Sequence, residues 1–303
     1  MHDGHLSIII RKRTSAIFAG RRFLFVIDQL GSGVKAMRNI VLAASLSALL
    51  FPATAFADND TVRLSEPFQI ADSAAVQQQR AQPAVLPAPQ RFALTIGGLY
   101  THREGETAGW APSVMVDYAA TNRLQLHAMV PMAYDRVSGG STHFGVGDVE
   151  TGIRYRFLDD DPTGWRPSVA VYPLVDFPTG NANENLGTGR AHYFLPLWFA
   201  KSFGPWIPYT GGGYWINPGP NNRNWFFGTV GTLRELSEKW TVFGEVFHAT
   251  SSKVGLKAQT GFDVGARFNL TTHHHFLFTI GTGLQNASQA NQITSYLAYV
   301  MTF

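Results

Sequence analysis

From Arg91 to Phe303 the chain is divided into segments of about ten residues in which apolar and polar side chains alternate, each bounded by Gly, Pro, Asn or Asp. Alternation with a period of two puts successive side chains on opposite faces of a strand and argues against amphipathic helices. Twelve such segments are read, at approximately 91–103, 109–119, 122–135, 143–157, 165–176, 189–202, 206–217, 223–234, 238–249, 258–269, 274–285 and 292–303. The last constrains the rest most. In "ITSYLAYVMTF", Leu297, Tyr299, Met301 and Phe303 point one way while Tyr296, Ala298, Val300 and Thr302 point the other. Chain ends normally fray. A strand patterned to its final residue needs a neighbour, and closing a sheet on itself supplies one while removing both edges.

The connections sharpen this. Counted from the first, they alternate between longer polar loops ("EGETA", "RVSGGST", "FPTGNANENLGT", "NPGPNN", "TSSKVGLK", "NASQANQ") and mostly tighter turns ("AT", "LDDDPTG", "SFG", "ELS", "TTHH"). Short turns at one end and longer loops at the other, joining an even number of strands, are the pattern of an outer-membrane barrel. The predicted fold class is all-β: a transmembrane antiparallel up-and-down β-barrel of about twelve strands over residues 91–303.

The two faces of the segments agree. In "GVGDVETGIRYRF", Val149, Thr151, Ile153, Tyr155 and Phe157 share one face, and Asp148, Glu150, Gly152, Arg154 and Arg156 share the other. In "GFDVGARF", Phe262, Val264, Ala266 and Phe268 alternate with Asp263, Gly265 and Arg267. An apolar face with aromatic ends and an ionic face fit lipid outside and a polar lumen inside. A soluble sandwich would turn the apolar face inward, and the period alone does not separate the two. The leader does.

"MRNIVLAASLSALLFPATAFADND" has a basic start at Arg38, an apolar core from Ile40 to Phe51 and Ala55-Phe56-Ala57 before Asp58. That is a secretory signal peptide over 37–57. Residues 1–36 precede it without a sustained period and read as an upstream extension with Met37 as the initiator; 58–90, rich in Ala, Gln and Pro, read as a flexible periplasmic segment. Only 15% of the chain is charged, below the usual quarter of a soluble domain, yet no run after the leader is long enough for a transmembrane helix. Without residues 1–57, which hold seven basic and two acidic residues, 17 basic and 19 acidic residues remain, a net charge of −2. The high isoelectric point therefore belongs to the leader, and nucleic-acid binding has no support. With no cysteine there is no disulfide framework.

The strand "FGVGDVETGIRYRF", the strand "PSVAVYPLVDFPTGN" and the hairpin Lys201-Ser202-Phe203-Gly204 resemble the outer-membrane family named for the MetA pathway of phenol degradation. The matching positions are Gly145–Phe157, Pro178-Thr179-Gly180 and 201–204, and the likeness extends over about 91–303. The resemblance implies passage of small, often aromatic or hydrophobic compounds across the outer membrane of a Gram-negative bacterium, with no cofactor. The permeant does not transfer with the family name. The chain's final residues, with Tyr299, Met301 and Phe303 at every second position, also resemble the signal read by the barrel-assembly machinery. Lipid and lipopolysaccharide would be its other partners.

Candidate lumen residues are Asp117, Gln125, His127, Asp148, Glu150, Arg154, Arg156, Glu245, Asp263 and Arg267. They suit either a constriction that selects permeants or a salt-bridge lattice that stiffens a narrow barrel. Of "HHH", only His273 and His275 share a strand face, and no carboxylate lies nearby in sequence, so no metal site is assigned. His248 and Ser252 are the best enzyme candidates, at the outer end of a strand as in twelve-stranded outer-membrane phospholipases. The Asn and Gly of that pattern are missing between them, so no catalytic residue is assigned and a lipid hydrolase is the runner-up reading. The loop after Phe177 suits an inward fold or a mobile tip equally. Protein extracted from outer membranes is expected to begin at Asp58; N-terminal sequencing checks this, and a product beginning at Met1 would remove the signal peptide from the argument.

Overall fold

The computed structural model describes residues 91–303; the leader, the cleavage site and the 58–90 segment lie outside the described residues. Fourteen strand segments form one continuous antiparallel sheet: β1 (Phe92–Arg103), β2 (Glu106–Ala119), β3 (Leu124–Val137), β4 (Thr142–Val146), β5 (Val149–Leu158), β6 (Ser168–Val171), β7 (Leu174–Phe177), β8 (His192–Ala200), β9 (Trp206–Ile216), β10 (Trp225–Glu235), β11 (Trp240–Ala249), β12 (Gln259–Asn269), β13 (His274–Gln285) and β14 (Ile293–Thr302).

Two pairs of segments are halves of single strands. β4 and β5 both pair with β3 and are parted at Gly147-Asp148. β6 and β7 both pair with β5 and β8 and are parted at Tyr172-Pro173, where proline has no N–H to donate. Twelve barrel strands result, as the sequence pattern predicts.

The first strand meets the last. β1 pairs with β14 from Ala93↔Thr302 to His102↔Ile293, which closes the barrel. Backbone bonds continue past the strand ends: the Arg91 N–H donates to the Phe303 carbonyl at 2.8 Å, and the Phe303 N–H donates to the Phe92 carbonyl at 2.8 Å. The Phe92 and Phe303 rings lie 5.9 Å apart on the outer surface. The final residue is thus the last hydrogen-bonded link of the seam.

The outward face carries exposed apolar side chains on every strand, among them Ile96, Val130, Ile153, Leu195, Val230, Val264, Phe278 and Leu297. For a barrel in lipid this is the solvated surface, and closure satisfies the backbone that no water reaches. Tyr299, Met301 and Phe303 belong to this face; Tyr299 packs against the rings of His274 and Phe276, with centroids 5.9 and 5.1 Å away.

The connections differ from the expected alternation in two places. "EGETA" is not a loop: β2 begins at Glu106, leaving Glu104 and Gly105 as the turn, with Gly105 at φ 78°. The inward-facing Arg103 and Glu106 extend the ladder, because the guanidinium Nε donates to the Glu106 carboxylate at 2.9 Å. Conversely, the connection read as the seven residues "LDDDPTG" is longer still, running over 159–167 at the turn end. Asp160 there receives the Lys201 ammonium at 2.8 Å, and Asp161 caps its own turn by accepting from the Thr163 N–H and hydroxyl.

An arginine placed on the lipid face at mid-strand, as in Leu297→Arg, is expected to cost roughly 2–4 kcal/mol of folding stability in bilayers. Urea titration of the refolded barrel in vesicles measures this, with the inward-facing Ala298→Ser as a control expected to lose far less.

Candidate functional site

The inner surface is made of two unlike walls. Over β2, β3 and β5 it is ionic. Asp117 pairs in register with His127, and Gln125 with Arg154, so four of these polar side chains meet on adjacent strands. The His127 ring bridges two acids, with Nδ1 3.0 Å from Asp117 Oδ1 and Nε2 3.1 Å from Glu150 Oε1. Gln125 donates to the same Asp117 oxygen at 2.7 Å. Tyr172 roofs the cluster: its ring lies 4.3 Å from the Arg154 guanidinium carbon and meets His127 edge-on at 5.8 Å. A cation stacked over an aromatic face and a histidine held between two carboxylates form a rigid, directional arrangement.

Over β8 to β11 the inner wall is aromatic. Phe194, Trp215 and Trp225 form a stack, with centroids 4.7 and 5.5 Å apart and interplanar angles of 14° and 10°. Phe227 and Phe247 continue it at 6.2 Å, and Trp198 lies beside them, 1% exposed. The reason such bulk fits is on the facing strand: Trp198 is opposite Gly211 and Phe194 leans over Gly213. A Cβ at Gly211 would be driven into the Trp198 ring. Glycine opposite an aromatic ring lets the ring lie flat against the wall.

Expectation and structure part here. The inner face was expected to be ionic; over β8 to β11 it is aromatic. The sequence carries the signal ambiguously, because Tyr214-Trp215 and Trp225-Phe226 place an aromatic on each face in turn, so alternation does not reveal that Trp215 and Trp225 are the inward members.

The predicted lumen residues fall into separate groups. Asp117, Gln125, His127, Glu150 and Arg154 come together. Glu245 and Asp263 are directly paired across β11 and β12, both buried. Asp148 is drawn off to the loop after β7, where it accepts from the Gly180 N–H at 2.9 Å and from the Thr188 N–H and hydroxyl, each at 2.7 Å. Arg156 is held at the turn end, its Nη2 donating to the Asn122 carbonyl at 2.8 Å and its Nε lying 2.9 Å from Asp159. Arg267 is also at that end, donating to Asn269 at 2.9 Å.

The loop that sequence left open folds inward. Asn185 Nδ2 donates to the inward-facing Asp135 at 3.1 Å, the Glu184 carbonyl lies 3.0 Å from His143 Nδ1, and Leu186 is 3% exposed against Gly145. Gly180 and Gly187 meet so closely that a Cβ on Gly187 would sit 2.7 Å from the Gly180 Cα. The loop therefore lies against the inner wall beside β3 and β4.

The remaining motifs disperse. His248 faces outward and bonds Thr260 at 2.8 Å, whereas Ser252 is buried with its carbonyl receiving Asn217 at 3.0 Å; no hydrogen bond joins the two. His273 pairs with the Thr302 carbonyl at 3.0 Å and His275 with Asn269 at 2.8 Å.

No family model matches the chain. Its fold is similar to the COG4313 outer membrane channel from Pseudomonas putida F1, with a TM-score of 0.62 and 16% identity over 73% of this chain and 98% of that one. It is also similar to the NanC porin, with a TM-score of 0.50 and 10% identity over 69% of this chain and 98% of that one. These likenesses show an outer-membrane-type barrel.

At the turn end, burial works to raise the Asp160 carboxyl, but hydrogen bonds from Lys201 and Ser202 outweigh it and hold it below the usual carboxylate range. Hydrogen bonding by Arg123, against a smaller opposing burial effect, lowers Asp159 as well. Depressed carboxylates stabilise above their unfolded values and lose that contribution as pH falls through the folded ones. Hydrogen exchange of 159–167 should therefore accelerate selectively below about pH 4, and Lys201→Met should reduce the selective part of that response, leaving the share that Arg123 gives Asp159.

Proposed function

We propose that the protein is an outer-membrane channel for passive passage of small solutes with aromatic or hydrophobic bodies. The observation that carries this is the inward-facing aromatic wall of Phe194, Trp215, Trp225, Phe227 and Phe247 on a barrel whose outer surface is apolar. In a barrel that needed only to be filled, aliphatic side chains would serve. The rings are packed face to face and at most 2% exposed, so a planar solute entering between them exchanges ring–ring for ring–solute stacking, each aromatic contact adding roughly 0.5–1.5 kcal/mol beyond area burial. The ionic wall of Asp117, His127, Glu150 and Arg154 faces the same interior and supplies polar contacts that orient a permeant without holding it.

Three further observations support the reading. The two barrels named above are described as a channel and a porin. The chain's resemblance to the MetA-pathway family points to the same solute class, and an exported barrel of this kind is inserted by the assembly machinery into a membrane faced with lipopolysaccharide. The separation of His248 from Ser252 favours passage over lipid hydrolysis.

Small aromatic solutes such as phenol should quench the tryptophan fluorescence of the refolded barrel saturably and reduce its single-channel conductance. Trp215→Ala should weaken that effect by about three- to tenfold, the equivalent of one ring contact. A barrel that neither conducts nor responds to the solute would overturn the reading. Within the ionic wall, Arg154→Glu should move the reversal potential in a salt gradient toward cations, whereas Arg156→Glu, at the turn end, should move it much less. Equal shifts would remove the ionic wall from the path.

A further inference from the structure

The inward-facing acids Asp117, Glu150 and Glu106 of the ionic wall each have a basic neighbour, while Asp135 is met by the Asn185 amide. Asp117 and Glu150 share His127, and near the loop end Glu106 is bound by Arg103. Glu245 and Asp263 follow neither pattern. They are directly opposed on β11 and β12, both point inward, and neither forms an ion pair among the described residues. Glu245 keeps one oxygen occupied: Oε2 receives the Tyr209 hydroxyl at 3.0 Å and the Thr229 hydroxyl at 2.9 Å. Its Oε1 and both carboxylate oxygens of Asp263 are buried and have no hydrogen-bond partner, and Asp263 as a whole is 0% exposed.

Buried polar atoms are nearly always satisfied, and a carboxylate pair removed from water is tolerated only if a positive charge or a proton joins it. The wall around the pair has made room for it. Gly231 is opposite Glu245 and Gly281 is opposite Asp263, and a Cβ at either glycine would strike the acidic side chain facing it. Each acid is thus seated in the room its facing glycine leaves, and three unpartnered oxygens of two acids are buried on adjacent strands.

We infer that Glu245 and Asp263 form a binding site for a hard divalent cation of the calcium class on the inner wall of the barrel. The available donors are all oxygen: two carboxylates, with the Thr229 and Tyr209 hydroxyls fixing the orientation of one of them. No histidine or cysteine contributes, so the set does not suit zinc or copper. Magnesium demands near-ideal octahedral geometry and keeps several waters, whereas calcium accepts irregular oxygen sets and bidentate carboxylates, as Asp263 with two open oxygens would provide. Two carboxylates would balance the ion's charge. Bound there, the ion would tie β11 to β12 beneath the aromatic wall, since Phe247 lies two residues from Glu245 on the same face. The inference does not depend on which solute, if any, passes the barrel.

Terbium provides the test, because it replaces calcium and its luminescence is sensitised by nearby aromatic side chains such as Tyr209. The full-length mature barrel, refolded and stripped with chelator, should show saturable sensitised emission that calcium displaces and magnesium displaces far less. Asp263→Asn should abolish it. Thr229→Val, which removes a hydroxyl that orients Glu245, should weaken terbium binding by about tenfold. Calcium should also raise the unfolding temperature of the unsubstituted barrel, read by its shift in gel mobility on heating, and should not do so for Asp263→Asn. Should that variant fail to fold, Glu245→Gln carries the same expectation. No saturable emission, or emission that survives these substitutions unchanged, would overturn the site. So would an Asp263→Asn barrel with raised stability and an unsubstituted barrel indifferent to calcium, because the pair would then share a proton instead.

Discussion

Everything in this fold depends on one seam of backbone hydrogen bonds, that between β1 and β14. In hydrocarbon an unpaired N–H or carbonyl has no water to turn to, so a sheet survives there only if it has no edge. The ten paired positions from Ala93↔Thr302 to His102↔Ile293 meet that condition, and the bonds joining Arg91 and Phe92 with Phe303 carry it to the last residue. The aromatic terminus follows from the same constraint. A seam strand in lipid must be apolar on its outer face along its whole length, and Leu297, Tyr299, Met301 and Phe303 are that face.

Closure also decides what the inside can hold. A barrel of about eight strands is just filled by its own side chains, while 16 to 18 strands leave an aqueous channel. Twelve strands lie between, and this chain uses the intermediate space asymmetrically. Where β2, β3 and β5 meet, ions and hydrogen bonds cross between neighbouring strands. Where β8 to β11 meet, rings lie flat over glycines. The break at Tyr172-Pro173 falls between these two regions, and from the break at Gly147-Asp148, within the ionic one, Asp148 fastens the inward loop. An interrupted strand gives up ladder bonds, but it frees a carboxylate to organise a loop that would otherwise have only its own backbone to hold it.

The barrel and its seam were legible in the sequence because both rest on alternation, which backbone geometry enforces residue by residue. Strand 274–285 is found at its predicted limits for that reason. The grouping of the ionic residues was only partly legible. Alternation put Glu150, Arg154 and Arg156 on one face, and that held, but it could not say that Arg156 would be taken up by Asp159 at the turn while Arg154 stayed under Tyr172. Partners come from the register between strands, which a single strand does not encode. The tight Glu104-Gly105 turn was missed for a related reason: Glu106 looks like loop until its charge is seen to be met by Arg103 across the hairpin.

The aromatic wall was the least legible feature, and the cause is physical. Rings are favourable on both faces of such a barrel, toward lipid and its interfaces outside and toward an apolar pocket inside, so aromatic content does not report direction. What reports direction is the glycine opposite. Gly211 and Gly213 on β9, which receive Trp198 and Phe194, alternate with Gly212, whose open side faces the Phe227 carbonyl of β10 instead. Trp198 and Phe194 lie flat because the glycines they cover carry no side chain, and Trp215 then stacks between Phe194 and Trp225. Glycines at every second position of one strand, set against bulky aromatics on the next, are therefore the mark of a lumen built from rings. Reading them requires both strands at once, and that pairing information enters only when the chain has folded.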